Sequence, residues 1–253
     1  MGLIVVPEQY ERRRQPQVGV RLNRRDPLAR GVIAAVPSFV AGYDAAIGRR
    51  LDWSVITGTF TVAGTAAGLA RISAGSAIGR LGGTGTPMSP SLTMRGASTV
   101  AFIVQLSALP SPWGSILGIF DSSNTCALQV LRGGSSSDLF VTSEYSGQGW
   151  SFTDAASAIV KTRPVVAVVT RTGITSSHSA TLWIDGESFS GTYTGSPGST
   201  PGGSGISIKV FGEYWGDPAY APSGALVSFV AWDRALAAAE VAAYRRNPQR
   251  IFA

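Results

Sequence analysis

A single cysteine, Cys126, excludes an intrachain disulfide, so the fold must stand on packing alone. A single histidine, His178, excludes a multi-histidine metal site, and its setting, Ser176-Ser-His-Ser179, is a loop composition with no triad acid that spacing can place. Charge is scarce too. Asp, Glu, Lys and Arg make up 14% of the 253 residues against 44% hydrophobic ones, which excludes a disordered or heavily solvated chain. Long apolar runs are missing. The opening Leu3, Ile4, Val5 and Val6 stop at Pro7, too short for a signal-peptide core, and no later stretch reaches the length of a membrane span. The expectation is a soluble chain made in a cytoplasm. Solenoid, propeller and heptad periods are absent.

Glycine (31 residues), proline (14) and many serines and threonines point instead to short strands joined by turns. In Thr99–Leu106, Val100, Phe102, Val104 and Leu106 share one face and a more mixed set the other, the pattern of a half-buried strand. Further strand runs are Ser115–Phe120, Cys126–Leu131, Asp138–Thr142, Pro164–Thr170, Ala180–Ile184, Ile206–Phe211 and Ala225–Trp232. Asp185-Gly186 follows the alternating Ala180–Ile184, and both residues tolerate the positive φ of a two-residue hairpin turn. The expected architecture is all-β: a two-sheet antiparallel jelly-roll sandwich with an extended N-terminal arm and a short C-terminal helix. Residues 195–205 read as a long surface loop, and 38–94 carry no assignable register.

The net charge of +6 is unevenly placed. Residues 1–30 hold seven arginines, among them Arg12, Arg13, Arg14, Arg24 and Arg25, against Glu8, Glu11 and Asp26, so most of the excess lies there. This predicts a basic arm, 1–30, before a nearly neutral body, 31–253. The apolar tip Leu3–Val6 would add to a neighbouring protein while the arginines pair with its carboxylates. Interspersed acids and few aromatics speak against nucleic acid.

The helix is Leu236-Ala-Ala-Ala-Glu-Val-Ala-Ala-Tyr-Arg-Arg246, stopped by Asn247-Pro248. Ala237 is its N-cap, Leu236 and Val241 form a hydrophobic staple, Glu240 sits at N3, and Arg245 and Arg246 suit its negative end.

These segments together resemble laminin-G-like, concanavalin A-like and pentraxin-like jelly rolls. The residues that carry the likeness are Val165–Thr170, Leu182-Trp-Ile-Asp-Gly186, Leu226–Trp232 and Asp233-Arg-Ala-Leu-Ala-Ala-Ala-Glu240, over residues 99–250. Ala237 departs from the usual serine cap. Arg14-Gln-Pro-Gln-Val-Gly-Val20, Asp26-Pro-Leu-Ala-Arg-Gly-Val-Ile33 and Tyr43-Asp with Gly48-Arg49 resemble jelly-roll proteins of tailed bacteriophages. That resemblance implies a virion structural or decoration protein, with capsid, neck or tail subunits as partners and homo-oligomers possible.

Sandwich glucanases place carboxylates at Glu-x-Asp-x-Glu spacing on one strand, and none of the six glutamates here begins such a motif. Gly82-Gly-Thr-Gly85 and Gly202-Gly-Ser-Gly205 lack the lysine of a phosphate loop. No catalytic, cofactor or metal residue is expected, calcium being the one ion the resemblance leaves open. The aromatic loop residues are the candidates for binding. Glu213, Tyr214, Trp215 and Asp217 join rings to carboxylates, and Tyr145, Trp150 and Trp113 stand in Gly/Ser/Pro-rich surroundings. Such a set suits either a subunit interface or a sugar, which needs an aromatic face and acceptors for its hydroxyls. The first reading is a non-catalytic virion component; the alternative is a lectin-like module for attachment to a host surface; the third is a glycosidase.

Overall fold

The structure is a computed structural model that describes residues 20–38, 42–51, 53–58, 70–72, 77–82, 96–120, 126–133, 137–142, 149–194, 207–210, 222 and 224–253. It is an antiparallel β-sandwich. One sheet runs in the order β1 (Val32–Val36), β17 (Gly224–Trp232), β7 (Ser98–Leu106), β12 (Val165–Arg171), β13 (Ala180–Ile184) and β14 (Glu187–Ser190), with β5 (Ala70–Ile72) also pairing β17. The other runs β15 (Thr192–Thr194), β11 (Gly149–Phe152), β10 (Leu139–Thr142), β9 (Cys126–Arg132), β8 (Ser115–Phe120), β16 (Ser207–Val210), β6 (Ala77–Gly82) and β4 (Trp53–Gly58). A small hairpin of β2 (Tyr43–Asp44) and β3 (Arg49–Arg50) stands beside them. The chain passes from one sheet to the other at Gly191, between β14 and β15. A Cβ there would lie 2.9 Å from both Phe152 Cε1 and Trp150 Cβ, so only a bare backbone crosses at this height.

The main core lies between the sheets and contains Val100, Phe102, Val104 and Leu106 of β7 with Trp150 and Phe152 of β11. The opposite face of the first sheet is not solvated. Ala101 and Ile103 of β7, Val166 and Val168 of β12, and Val227, Val230 and Trp232 of β17 form a second core. Its cover is Leu22, Leu28, Tyr43, Leu236, Val241, Tyr244 and Ile251. The half-buried reading of Thr99–Leu106 is thereby corrected: β7 is covered on both faces, because the leader and the C-terminal helix lie over the second one. The Val/Ala run Val165–Val169 of β12 is explained in the same way, since it is buried on both faces, and the polar Thr170 and Arg171 come only at its end.

The motifs that carried the family likeness serve as fasteners. Asp185 and Gly186 adopt φ of 50° and 111°, closing the β13–β14 hairpin, and Asp185 pairs with Arg163 at 2.6 Å. The helix α2 spans Ala238–Arg246 with Ala237 as N-cap. Alanine has no acceptor, so only the reciprocal half of a capping box forms, Ala237 N–H donating to Glu240 Oε2 at 2.9 Å. Arg234 grips both Glu240 oxygens at 2.8 Å, and these bonds hold that carboxyl below its usual range. Thr99 Oγ1 donates to Arg234 O and accepts from Leu236 N–H, tying the helix entry to β7.

Residues 20–30, read from sequence as arm, are seated on the sandwich. Arg21 and Ala253 exchange backbone hydrogen bonds at 3.2 and 2.8 Å, and Trp232 Nε1 donates to Leu28 O at 2.7 Å. Asp26 caps the 3-10 turn Pro27–Ala29 and pairs with Arg250 at 2.6 Å. Gly31, at φ +77°, then turns the chain into β1; a Cβ there would meet the Asp233 carboxylate at 2.5 Å.

Candidate functional site

The antiparallel register brings the ends of four strands to one rim of the sandwich. Ser115 opens β8 opposite Leu131, Arg132 ends β9 opposite Leu139, and Leu139 opens β10 opposite Phe152 at the end of β11. The segments that leave these ends must therefore meet. One of them, between β7 and β8, carries Trp113. Its N–H donates to Arg132 O at 3.1 Å, Gly114 O accepts from Arg132 N–H at 3.1 Å, and Gly114 N–H donates to Ser111 O at 2.8 Å. The Arg132 guanidinium adds a bond to Pro110 O at 2.7 Å. The loop is thus pinned to the end of β9 by backbone and side chain together.

That pinning holds Trp113 at φ 66°, a left-handed conformation that costs an L-residue about 1–2 kcal/mol. Trp113 is 52% exposed, more than Leu109 in the same loop or Ile47. A bulky residue kept in a strained backbone with its ring in water is a poor choice for stability alone. Such strain concentrates at binding sites.

Carboxylates lie on the same rim. Asp138 O accepts from Gly133 N–H at 2.9 Å, and its side chain accepts from Asp154 N–H at 3.0 Å and Ser151 Oγ at 3.2 Å. Asp154 is exposed, stands at φ 56° ahead of the short helix α1 (Ala155–Ile159), and accepts from Ser137 Oγ. An exposed indole that shares its rim with a guanidinium, two carboxylates and serine hydroxyls belongs to a set able to stack on an apolar sugar face and hydrogen-bond its hydroxyls. Among the described residues no group of three or more Asp, Glu, His or Cys is placed to hold a metal ion.

Of the residues singled out from sequence, Trp150 is placed differently from expectation. It lies in β11, fully buried, with its ring edge-on to Tyr193 at 5.2 Å. The Gly-Trp-Ser-Phe alternation, read as loop because of its glycine and serines, directs Trp150 and Phe152 into the core. Glu213, Tyr214, Trp215, Asp217 and Tyr145 lie outside the described residues, as do Leu3, Ile4, Val5, Val6, Arg12, Arg13 and Arg14. Arg24 and Arg25 are exposed on a turn fixed to the body. His178 is exposed in its loop, with Nδ1 2.7 Å from Thr175 Oγ1. Sequence reasoning named Trp113 but not Arg132, Asp138 or Asp154. Their only local signal is turn-type Asp, and the register that gathers them is not local.

No family model and no curated protein sequence matches the chain. Solved structures do match in shape. Domain 4 of AbnA, a GH43 extracellular arabinanase from Geobacillus stearothermophilus, in complex with arabinotriose, is 14% identical with a TM-score of 0.56 over 85% of this chain and 98% of that one. Trypanosoma rangeli sialidase is 13% identical (TM-score 0.55, 87% of this chain, 33% of the sialidase). The binding domain of Botulinum Neurotoxin DC in complex with SialylT is 10% identical (TM-score 0.54, 85% and 50%). The chain therefore spans about a third of the sialidase and half of the toxin domain. At these identities the likeness shows the fold: an all-β sandwich of jelly-roll type that recurs in proteins acting on or binding carbohydrate.

Proposed function

We propose that this chain is a non-catalytic glycan-binding module that stacks a saccharide on Trp113, with Asp138, Asp154 and Arg132 engaging its hydroxyls. The observation that carries the reading is the strained, pinned and exposed indole of Trp113. The arabinotriose on domain 4 of AbnA and the SialylT on the toxin domain support it by analogy of fold. The virion role implied by the leader motifs draws no support from these likenesses, and no observation on the described residues favours it, so glycan binding takes its place as the leading proposal.

A glycan array probed with the protein and with Trp113→Gly tests this reading. Glycine keeps the left-handed turn and removes only the ring. The expected result is binding to a defined subset of oligosaccharides, weakened about two- to tenfold in the variant, in line with an aromatic contribution of ~0.5–1.5 kcal/mol. An array without binding, or binding that survives in Trp113→Gly and disappears in Trp215→Ala, overturns the assignment to this rim. Hydrolysis of a polysaccharide abolished by Asp138→Ala or Asp154→Ala would replace the binding module with a glycosidase.

A further inference from the structure

At the opposite kind of surface, around the seated leader, the chain builds a basic channel. Two grooves, about 690 and 800 Å³, meet at Arg24 and Arg25. Arg21 lines the first and Arg30 the second, and Arg50 shares the face of its cross-strand partner Tyr43, which lines the first. All five arginines are exposed, and none is in an ion pair among the described residues. Three of the acids nearby are withdrawn from the channel. Asp26 is held by Arg250 at 2.6 Å, Glu240 by Arg234 at 2.8 Å, and Asp44 of β2 is fully buried. Asp233, exposed beside Gly31, offsets part of the charge, and the five unpaired arginines leave the channel net positive among the described residues.

The floor is apolar. Leu22, Tyr43, Ala45 and Ala46 line the first groove between its cationic walls, with Ile47, 38% exposed, at the hairpin tip. This combination selects among polyanions. A nucleic acid or an acidic polysaccharide would engage the walls and leave the floor wet, and either gains from an exposed ring to stack on. Tyr43, the aromatic lining residue, is only 8% exposed. A peptide carrying carboxylates and small apolar side chains in alternation satisfies walls and floor at once. Guanidinium forks pair bidentately with its carboxylates.

We propose that this channel docks an acidic, partly apolar peptide segment of a partner protein. The reading is independent of the glycan site, which lies on other loops. Fluorescence anisotropy at about 150 mM salt, where exposed charges more than ~8 Å apart are largely screened, compares four labelled probes: a Glu/Leu/Ala peptide, its Gln/Leu/Ala counterpart, oligodeoxythymidylate and polygalacturonate. The Glu peptide is expected to bind most tightly, and Arg24→Glu/Arg25→Glu to weaken it by about tenfold or more. Arg24→Gln/Arg25→Gln, which removes charge without reversing it, should give an intermediate loss while the circular dichroism spectrum is unchanged. Equal binding of the Glu and Gln peptides, tighter binding of oligodeoxythymidylate or polygalacturonate, or full affinity in both variants overturns the proposal.

Discussion

Asp44 offers the sharpest test of the packing described above. It is fully buried, its Oδ1 accepts the Ala35 and Ala46 N–H groups at 2.9 Å each, and its Oδ2 has no hydrogen-bond partner among the described residues. Burial outweighs the backbone hydrogen bonds and pushes its pKa from 3.8 up to about 6. Between those values the folded protein holds a proton that the unfolded chain has released. Stability therefore falls as pH rises through this window and levels off above about pH 6. At 1.36 kcal/mol per pH unit the loss amounts to about 3 kcal/mol. Asp44→Asn keeps the Oδ1 acceptor and removes the titration, so its own stability should lack this slope. Urea unfolding followed by tryptophan fluorescence, for both proteins at intervals from pH 4 to pH 7.5, isolates the effect as a difference. The variant should gain on the parent by up to about 3 kcal/mol as pH rises, most of it between pH 4 and pH 6.5. A flat difference, or a parent that gains on the variant with rising pH, would refute a desolvated carboxyl at this position.

Four further outcomes follow from the same packing. Ala237→Ser supplies the missing acceptor for the Glu240 N–H and should raise stability by about 0.5–2 kcal/mol; an unchanged urea midpoint would show that Oγ does not reach it. Trp113→Gly should be more stable than Trp113→Ala by about 1 kcal/mol, because only glycine is unstrained at φ 66°; equal thermal midpoints would contradict a left-handed Trp113. Gly191→Ala should cost ~1–3 kcal/mol by forcing a methyl against Trp150 and Phe152 where the chain changes sheets, and near-parent stability in denaturant would show that the crossing has room. Leu22→Ala gives up apolar burial worth ~1.5–3 kcal/mol in the second core, so a variant that melts with the parent would refute the seated leader.

Elements whose causes are local were legible in the residues alone. Strands Ser115–Phe120 and Ala180–Ile184 follow from short β-rich runs between turns, the Asp185-Gly186 hairpin from two residues that accept positive φ, and α2 from its cap, staple and Asn-Pro stop. The all-β class followed from their sum. Tertiary structure decided what depends on distant chain. The second face of β7 is buried because residues 22–28 and 236–251 lie over it, and alternation within Thr99–Leu106 carries no trace of that cover. Trp150 and Trp113 stand in similar Gly/Ser/Pro surroundings, yet one is wholly inside and the other half in water. The difference arises from pairing: Trp150 lies in a strand whose register turns it inward, while Trp113 lies in a loop that Arg132, nineteen positions along the chain, fastens with its ring outward. Composition and spacing report which residues are available for a site. Only the register of β8, β9, β10 and β11 brings Trp113, Arg132, Asp138 and Asp154 to one rim, because strand pairing is a contact between segments that sequence order keeps apart.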